Sequence, residues 1–222
     1  MGSEMCIRDR SHHDLYYNSD SQILGMVTGI GTAKSATATM ALGLDPRFDL
    51  SQAYWMVAGI AGIDPEDASI GSVAWSSYLV DGDLGHEIDA REMPEDWDTG
   101  FFARYTQFPY DPARPEPTGE MFRANPALRD WAYELTKNAP LVNPETLAAT
   151  SNLYTEHPNA QKPPFVLTGG HIAAMTFWHG ALMNDWANRW VRYWSDGATD
   201  FVTSAMEDTG TYQALHYLDQ ID

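Results

Sequence analysis

The chain has 222 residues, a net charge of -18 at pH 7 and a sequence pI near 4.5, and 44% of its residues are hydrophobic. This length suits one α/β domain with its own core, whereas the negative charge excludes a nucleic-acid polymer as a partner because phosphates would be repelled. No run approaches the ~18 apolar residues of a membrane span, and a single cysteine, Cys6, excludes an internal disulfide.

Apolar runs that alternate with helical patterns predict an α/β fold. In the first part of the chain the expected elements are a strand at 22–28, a helix at 32–44 and strands at 53–58 and 69–80. Helices that begin at Asn125-Pro126 and Asn143-Pro144 follow, and then a strand at 165–168 that ends in Gly169-Gly170. Phe177 to His179 open an aromatic helix, on which Leu182, Trp186, Trp190 and Trp194 share a face, and a strand at 201–206 and a helix at 207–219 end the series. The first strand, helix and strand predict a parallel pair with a right-handed crossover. Ligands then gather at the carboxyl ends of the strands.

Two segments differ from this pattern. Residues 1–11 have no hydrophobic period and resemble a translated sequencing adapter, so we expect a foreign segment there and a single domain over 12–222. The native N-terminus would then be missing. A periplasmic or secreted location is compatible with this, and the compartment stays open.

Prolines and acids dominate about 81–126, which predicts a long excursion from the domain.

Glycines and one carboxylate are candidate ligand-binding groups. Gly25, Gly29 and Gly31 flank a strand-to-helix turn, where backbone amides and a helix N-terminus favour an anion; close helix–strand packing is the alternative. Glu207 lies where the last strand becomes a helix, and its two oxygens match the two adjacent hydroxyl donors of a ribose. Stabilisation of the helix N-terminus by the Glu207 charge is the alternative.

Aromatic and titratable residues give weaker signals. Phe177 and Trp178 could stack on a purine base, or pack on the core. His171 could serve as an acid or base, or as a hydrogen-bonded neighbour. The acids and histidine of 81–89 match no closed metal motif, so a solvated loop is expected there, with no metal and no cofactor.

Four long runs carry a family resemblance: GMVTGIGTAKSATATMALGLDPRFDLSQAYWMVAGIAGIDPEDASIGSVAW at 25–75, LVDGDLGHEIDAREMPEDW at 79–97, FWHGALMNDWANRWVRYWSDG at 177–197 and SAMEDTGTYQAL at 204–215. Together they resemble the purine nucleoside permease family, which is similar in turn to the nucleoside phosphorylase superfamily. The resemblance covers nearly all of the chain after about Asp14. It implies a three-layer α/β fold, with a twisted mixed sheet flanked by helices.

The resemblance also implies roles for individual residues. Met206 and Glu207 match the Met-Glu pair that holds the ribose hydroxyls of phosphorylases, and Phe177 and Trp178 match the aromatic pair near the base and sugar. The backbone-lined turns match in four glycines, namely Gly29 and Gly31 near the phosphate site and Gly59 and Gly62 after the third superfamily strand. Catalytic residues stay unassigned.

Some residues that bind phosphate in the superfamily are replaced here, and this bears on whether the protein could use phosphate to cleave a nucleoside. Many bacterial phosphorylases carry an Arg and a Ser or Thr where Val57 and Ile60 stand here, so both phosphate-binding side chains are replaced. Lys34, Arg189 or Arg192 could substitute for them. The superfamily's purine-protonating acid comes from a strand beyond the last helix, and we expect this chain to be a fragment that lacks both ends.

Two functions therefore remain open, beside a third interpretation in which the chain keeps the fold but has lost the site, against which Glu207 argues. The first is binding of a purine nucleoside in the service of nucleoside uptake. The second is cleavage of the N-glycosidic bond by a hydrolase or a phosphorylase, with phosphate as a second ligand in the latter case. Superfamily members pair their subunits, so a homo-oligomer is also expected.

Overall fold

The computed structural model describes residues 4–7 and 14–220. The chain divides into two compact units, one formed by Met1–Ala58 with Met206–Asp222 and the other by Gly59–Ala205. Of the predicted foreign segment, residues 1–3 and 8–11 lie outside the described residues. The foreign origin of that segment and the single domain over 12–222 stay predictions.

The first unit combines a small antiparallel sheet with two helices. Its elements are β1 (Glu4–Ile7), β2 (Leu15–Asn18), β3 (Ile23–Gly25), α1 (Thr32–Gly43) and α5 (Asp208–Tyr217), and the sheet order is β1-β2-β3. Helices α1 and α5 pack closely at Gly210, where a Cβ would lie 2.2 Å from the carbonyl oxygen of Thr32 and 2.5 Å from Oγ of Ser35. The missing side chain therefore sets how closely these two helices approach.

The second unit holds the larger sheet. Its elements in chain order are β4 (Gly62–Ile63), β5 (Val73–Asp81), β6 (His86–Glu87), β7 (Phe101–Phe102), β8 (Met121–Arg123), α2 (Pro126–Thr136), α3 (Glu145–Ser151), β9 (Val166–Ala173), α4 (Ala181–Trp194) and β10 (Phe201–Ala205). Five strands form one mixed sheet in the order β4-β10-β9-β5-β8. Its three central strands are parallel, and β4 and β8 pair antiparallel at the two edges. This mixed sheet with its helices confirms the predicted α/β class.

The aromatic face of α4 forms the core of the second unit. Trp186, Trp190 and Trp194 are buried against Val80 of β5 and Phe201 of β10. The rings of Trp186 and Trp190 are stacked with their centroids 6.1 Å apart. The core interpretation of this i, i+4 stripe is therefore right for the three tryptophans, whereas Leu182, predicted on the same face, is 84% exposed.

Most of the predicted elements are confirmed. Helices α1, α2, α4 and α5 and strands β5 and β10 form at the expected places. The cap predicted for α2 is also present, because Oδ1 of Asn125 accepts hydrogen bonds from the N–H groups of Ala127 and Leu128 at 3.0 and 3.2 Å. Helix α3 forms as well, but Pro144 rather than Asn143 occupies its N-cap position, and no side chain caps it.

The predicted parallel pair in the first 60 residues is wrong. Residues 53–58 form no strand, and their side chains include Tyr54 at 85% and Met56 at 71% exposure. Only 23–25 of the predicted strand 22–28 pairs, and it pairs antiparallel with β2. The cause is a tight turn, in which Oδ1 of Asn18 accepts from the N–H groups of Asp20 and Ser21 and closes a hairpin.

The strand predicted at 165–168 is longer than its apolar run. It continues through Gly169 and Gly170 to Ala173, because these glycines make room for close neighbours instead of ending the strand. A Cβ at Gly169 would lie 2.1 Å from Cγ2 of Val202, and one at Gly170 would lie 2.5 Å from Cγ1 of Val191. Residues 177–179 consequently lie in the loop before α4 and do not open the helix.

Candidate functional site

Glu207 lies at the N-terminus of α5 and is held by backbone groups of its own unit. Its Oε1 accepts a hydrogen bond from the N–H of Gly31 at 2.9 Å, and its Oε2 accepts one from the N–H of Met206 at 3.3 Å. Its carbonyl oxygen accepts from Oγ of Ser35 at 2.7 Å. The carboxylate is half-buried, and each of its oxygens keeps a lone pair beyond these bonds.

The glycine turn before α1 is thereby tied to Glu207. Gly31 is the N-cap of α1, with a φ of 99° that an L side chain rarely adopts, and no side chain of its own segment caps the helix. Gly29 also has a positive φ of 79°. The structure therefore brings Glu207 and Gly31 together, and the Glu207 carboxylate lies at the N-terminus of α1.

In the second unit, the carboxyl ends of β5 and β9 lie side by side, with Asp81 opposite Ala173. The loops that follow are joined, because the N–H of Gly82 donates to the carbonyl of Ala173 at 2.8 Å and the N–H of Met175 donates to Oδ2 of Asp83 at 2.5 Å. This edge is where open parallel sheets bind their ligands. The aromatic pair predicted to lie near a nucleoside follows directly in the chain.

The two aromatic residues differ in their surroundings. Phe177 is 76% exposed. Trp178 is half-buried, and its ring lies 6.3 Å from that of Trp186 in an edge-on arrangement and 5.7 Å from that of Phe201. Trp178 thus carries a packing role, as the structural interpretation predicted, whereas the face of Phe177 is open to solvent.

The second pair of predicted glycines lies apart from any strand-to-helix turn. Gly59 has no atom within 4 Å of a Cβ built on it, and Gly62 begins β4 beside Oγ of Ser204 at 3.2 Å. Val57 and Ile60, which the resemblance matches to phosphate ligands of phosphorylases, are 40% and 104% exposed. Neither side chain can bind phosphate, because both are apolar.

The cations considered as substitutes have other partners. Arg189 forms an ion pair of 2.6 Å with Asp98 and lies 4.5 Å above the ring of Tyr110. Arg192 pairs with Asp200. Lys34 is exposed on the first turn of α1. Two of the three predicted substitutes are therefore already neutralised by carboxylates.

An acidic cluster surrounds Asp64, which is 1% exposed. Asn184 and Asn188 donate to its two oxygens at 3.1 and 2.7 Å. Burial, together with the charges of Asp64, Asp200 and Glu66, raises the pKa of the neighbouring Asp67 to about 6. Among the residues that the structure describes, no group of three or more His, Cys, Asp or Glu side chains is placed to hold a metal ion.

Other features complete the account of the site. His171 is buried within β9, and its Nδ1 lies 2.9 Å from Oγ1 of Thr203, as expected for a hydrogen-bonded neighbour.

The roles of Ser35 and Asp83 were missed, since a serine inside a helix and an acid in a loop carry no distinctive pattern. Within 4–7 and 14–220, no helix combines the length and apolar character that a bilayer crossing requires.

Solved structures with a similar fold show which fold type this chain adopts. Futalosine hydrolase of Helicobacter pylori matches with a TM-score of 0.53 and 15% identity, over 98% of this chain and 75% of the other. A 5'-methylthioadenosine/S-adenosylhomocysteine nucleosidase from Neisseria meningitidis, in complex with methylthio-immucillin-A, matches with a TM-score of 0.50 and 16% identity, over 100% and 74%. The fold is therefore of the nucleoside phosphorylase type, as predicted.

The sequence relatives are more specific. The chain belongs to the purine nucleoside permease family, whose model matches residues 4–222. It is 30% identical over 216 residues to the probable purine nucleoside permease of Schizosaccharomyces pombe and 29% identical over 210 residues to the purine nucleoside permease of Candida albicans. These matches cover 93% and 91% of this chain, which spans 62% and 50% of the lengths of the two relatives.

Proposed function

We propose that this protein binds purine nucleosides through Glu207 and serves their uptake. The observation that carries the proposal is the backbone-held carboxylate of Glu207, whose two oxygens each keep a lone pair for one hydroxyl of a ribose. A charge-assisted pair of hydrogen bonds to a vicinal diol is stronger than bonds between neutral groups. The relatives named as purine nucleoside permeases support the choice of ligand.

Phe177, which lies in the second unit, is proposed separately as an aromatic contact for a purine base. Phe177 follows the carboxyl end of β9 and exposes its ring to solvent, as a stacking surface for a base requires. Trp178 would support it from the core side, since its ring already packs on Trp186 and Phe201. Stacking is tolerant of the base, so this proposal does not distinguish hypoxanthine, adenine and guanine.

Cleavage of the N-glycosidic bond is the second candidate function. It is supported by the fold, which is that of a nucleosidase and a hydrolase, although a fold alone does not fix chemistry. Glu207 would hold the ribose while it distorts toward an oxocarbenium ion and the bond between C1' and the purine nitrogen breaks. The purine would leave with a proton taken up from solvent, and a nucleophile would add to C1'; water, once added, would lose a proton to solvent. Apolar Val57 and Ile60 favour water over phosphate as the nucleophile. An enzyme that consumes the nucleoside would also draw it into the cell.

One set of incubations separates these functions. The protein and Glu207→Ala are each mixed with inosine, adenosine or guanosine, with and without phosphate; release of free base is followed by chromatography and nucleoside binding by calorimetry. Nucleoside binding without base release, lost in the variant, supports the uptake proposal. Base release without phosphate identifies a hydrolase, and release that requires phosphate identifies a phosphorylase. Neither binding nor release in the unchanged protein would refute both functions.

A further inference from the structure

We infer that Ser35 is a positioning residue for Glu207: its hydroxyl fixes the backbone of Glu207, and the preference for nucleosides that carry both ribose hydroxyls depends on this contact. The inference rests on the proposed function, since it concerns the ligand class of the same carboxylate. Ser35 is fully buried inside α1, so it acts through Glu207 and does not contact the nucleoside itself.

The first step of the argument is the acceptor that the Ser35 hydroxyl uses. Its Oγ lies 2.7 Å from the carbonyl oxygen of Glu207 and 3.0 Å from that of Thr32. The hydroxyl has one hydrogen to donate, and the shorter distance is the usual one for an O–H···O bond. A serine inside a helix ordinarily donates to a carbonyl of its own helix. Here the closer acceptor lies 172 positions further along the chain, so the hydroxyl ties α1 to the start of α5.

The second step is the cost of a hydroxyl at this position. A buried hydroxyl without a partner destabilises a fold, and alanine, which recurs along α1, forms helices better than serine. Room for the hydroxyl is made by Gly210, since a Cβ there would lie 2.5 Å from Oγ of Ser35. Packing of the two helices alone would be served by alanine, whereas the contact with Glu207 requires a serine that faces a glycine.

The third step is what the contact fixes. The carbonyl of Glu207 also accepts from the N–H and Oγ1 of Thr211, at 3.0 and 3.3 Å. Gly31, which lies one turn before Ser35, donates its N–H to Oε1 of Glu207 at 2.9 Å. The start of α1 thus holds Glu207 by its main chain as well as by its carboxylate. Two oxygens that meet two adjacent hydroxyls need such support, because a shift of about 1 Å is enough to weaken both hydrogen bonds.

The test measures the preference for ribose hydroxyls. Affinities for inosine and for 2',3'-dideoxyinosine, which lacks both hydroxyls, are determined by calorimetry for the unchanged protein, Ser35→Ala, Glu207→Ala and the double variant. In Ser35→Ala we expect the affinity for inosine to fall about fivefold, as for a weakened hydrogen bond to a charged group, and that for dideoxyinosine to change less than about twofold. Ser35→Ala should add no further loss to Glu207→Ala, because the residue through which Ser35 acts is then absent.

Two further variants control the result. Thr39→Val removes the hydroxyl of another fully buried residue of α1, whose Oγ1 has no hydrogen-bond partner within the described part of the chain, and both affinities should stay unchanged. Ser35→Cys keeps a similar shape with a weaker donor, so its preference for inosine should lie between those of the unchanged protein and Ser35→Ala. Ser35→Cys decides the test if the melt of Ser35→Ala is not cooperative.

The possible outcomes separate this inference from the proposed function. An unchanged preference in the Ser35 variants, an equal fall for both nucleosides, or a fall as large in Thr39→Val would overturn the inference. The proposed function would still stand in each of these cases if the preference disappeared in Glu207→Ala. No binding of inosine by the unchanged protein would refute both.

Discussion

The Oε1 atom of Glu207 and the backbone N–H of Gly31 form a hydrogen bond of 2.9 Å between residues 176 positions apart in the chain. This bond joins the segment before α5 to the turn before α1, and it satisfies a buried donor at a helix N-terminus. The same carboxylate is the residue proposed to hold a ribose. Its structural and functional roles therefore have to be separated by experiment.

Removal of this carboxylate should lower stability. In Glu207→Ala the N–H of the buried Gly31 loses its acceptor, and we expect a loss of about 1–3 kcal/mol in the free energy of unfolding, the cost of an unsatisfied buried donor. Urea denaturation of the variant and of Glu145→Ala, whose exposed carboxylate serves only its own helix, measures the difference. Equal stability of the two variants would mean that the bond contributes nothing.

Gly210 should tolerate no side chain. In Gly210→Ala the new Cβ would lie 2.2 Å from the carbonyl oxygen of Thr32 and 2.5 Å from Oγ of Ser35, so α1 and α5 must separate. We expect a loss of about 2–3 kcal/mol, as for an overpacked core. Gly59→Ala is the matched control, because its Cβ meets no atom within 4 Å and its φ is not positive. Thermal unfolding that shows the same loss in both variants would contradict this account of the helix pair.

Arg114 should stabilise the end of α4. Its Nη1 donates to the carbonyl oxygens of Tyr193 and Trp194 at 2.8 and 2.5 Å, and its Nη2 pairs with Asp196 at 2.7 Å. Arg114→Ala leaves these carbonyls without their charged donor, and about 2 kcal/mol of stability should be lost. Arg129→Ala removes only a pair with its exposed chain neighbour Asp130 and should cost less than about 0.5 kcal/mol.

Asp67 should make stability depend on pH. Its pKa is raised to about 6, first by burial and then by the charges of Asp64, Asp200 and Glu66. A carboxyl whose pKa is higher in the folded state stabilises the fold fully below its unfolded pKa near 4, and this contribution is lost as the pH rises through 6. Asp67→Asn should therefore equal the unchanged protein in stability at pH 4 and exceed it at pH 7.

The size of this gain is limited by solvent. Asp67 is only half-buried, so screening reduces the effect to about 1 kcal/mol. Melting temperatures at pH 4, 5, 6 and 7 for both proteins measure it. A gain that is already complete at pH 4, or one that shrinks as the pH rises, would show that the pKa of Asp67 is not raised.

Local chemistry explains what the sequence could predict. The helix that begins at Pro126 was predictable because Asn125 caps it within three residues, and the stripe of Trp186, Trp190 and Trp194 was predictable because i, i+4 spacing defines one helix face. Both patterns lie within a single element. Fold class followed from the alternation of such elements.

Long-range pairing explains what the sequence could not predict. The apolar run at 53–58 has the composition of a strand, but it pairs with no neighbour, whereas a turn at Asn18 leads β3 into an antiparallel hairpin. Gly169 and Gly170 have the composition of a strand end, yet β9 continues through them because Val202 and Val191 pack closely against them. The contact of Glu207 with Gly31 depends on two helices that meet only in the fold, so no local pattern could show it.

The most direct test of the central claim compares two nucleosides that differ only in the ribose hydroxyls. The affinities of the unchanged protein and of Glu207→Ala for inosine and for 2',3'-dideoxyinosine are measured by calorimetry. We predict that the unchanged protein binds inosine at least about tenfold more tightly, as expected for hydrogen bonds to a charged group, and that this preference disappears in the variant. No binding of inosine, or an equal preference in both proteins, would contradict the assignment of Glu207 as the residue that holds the ribose.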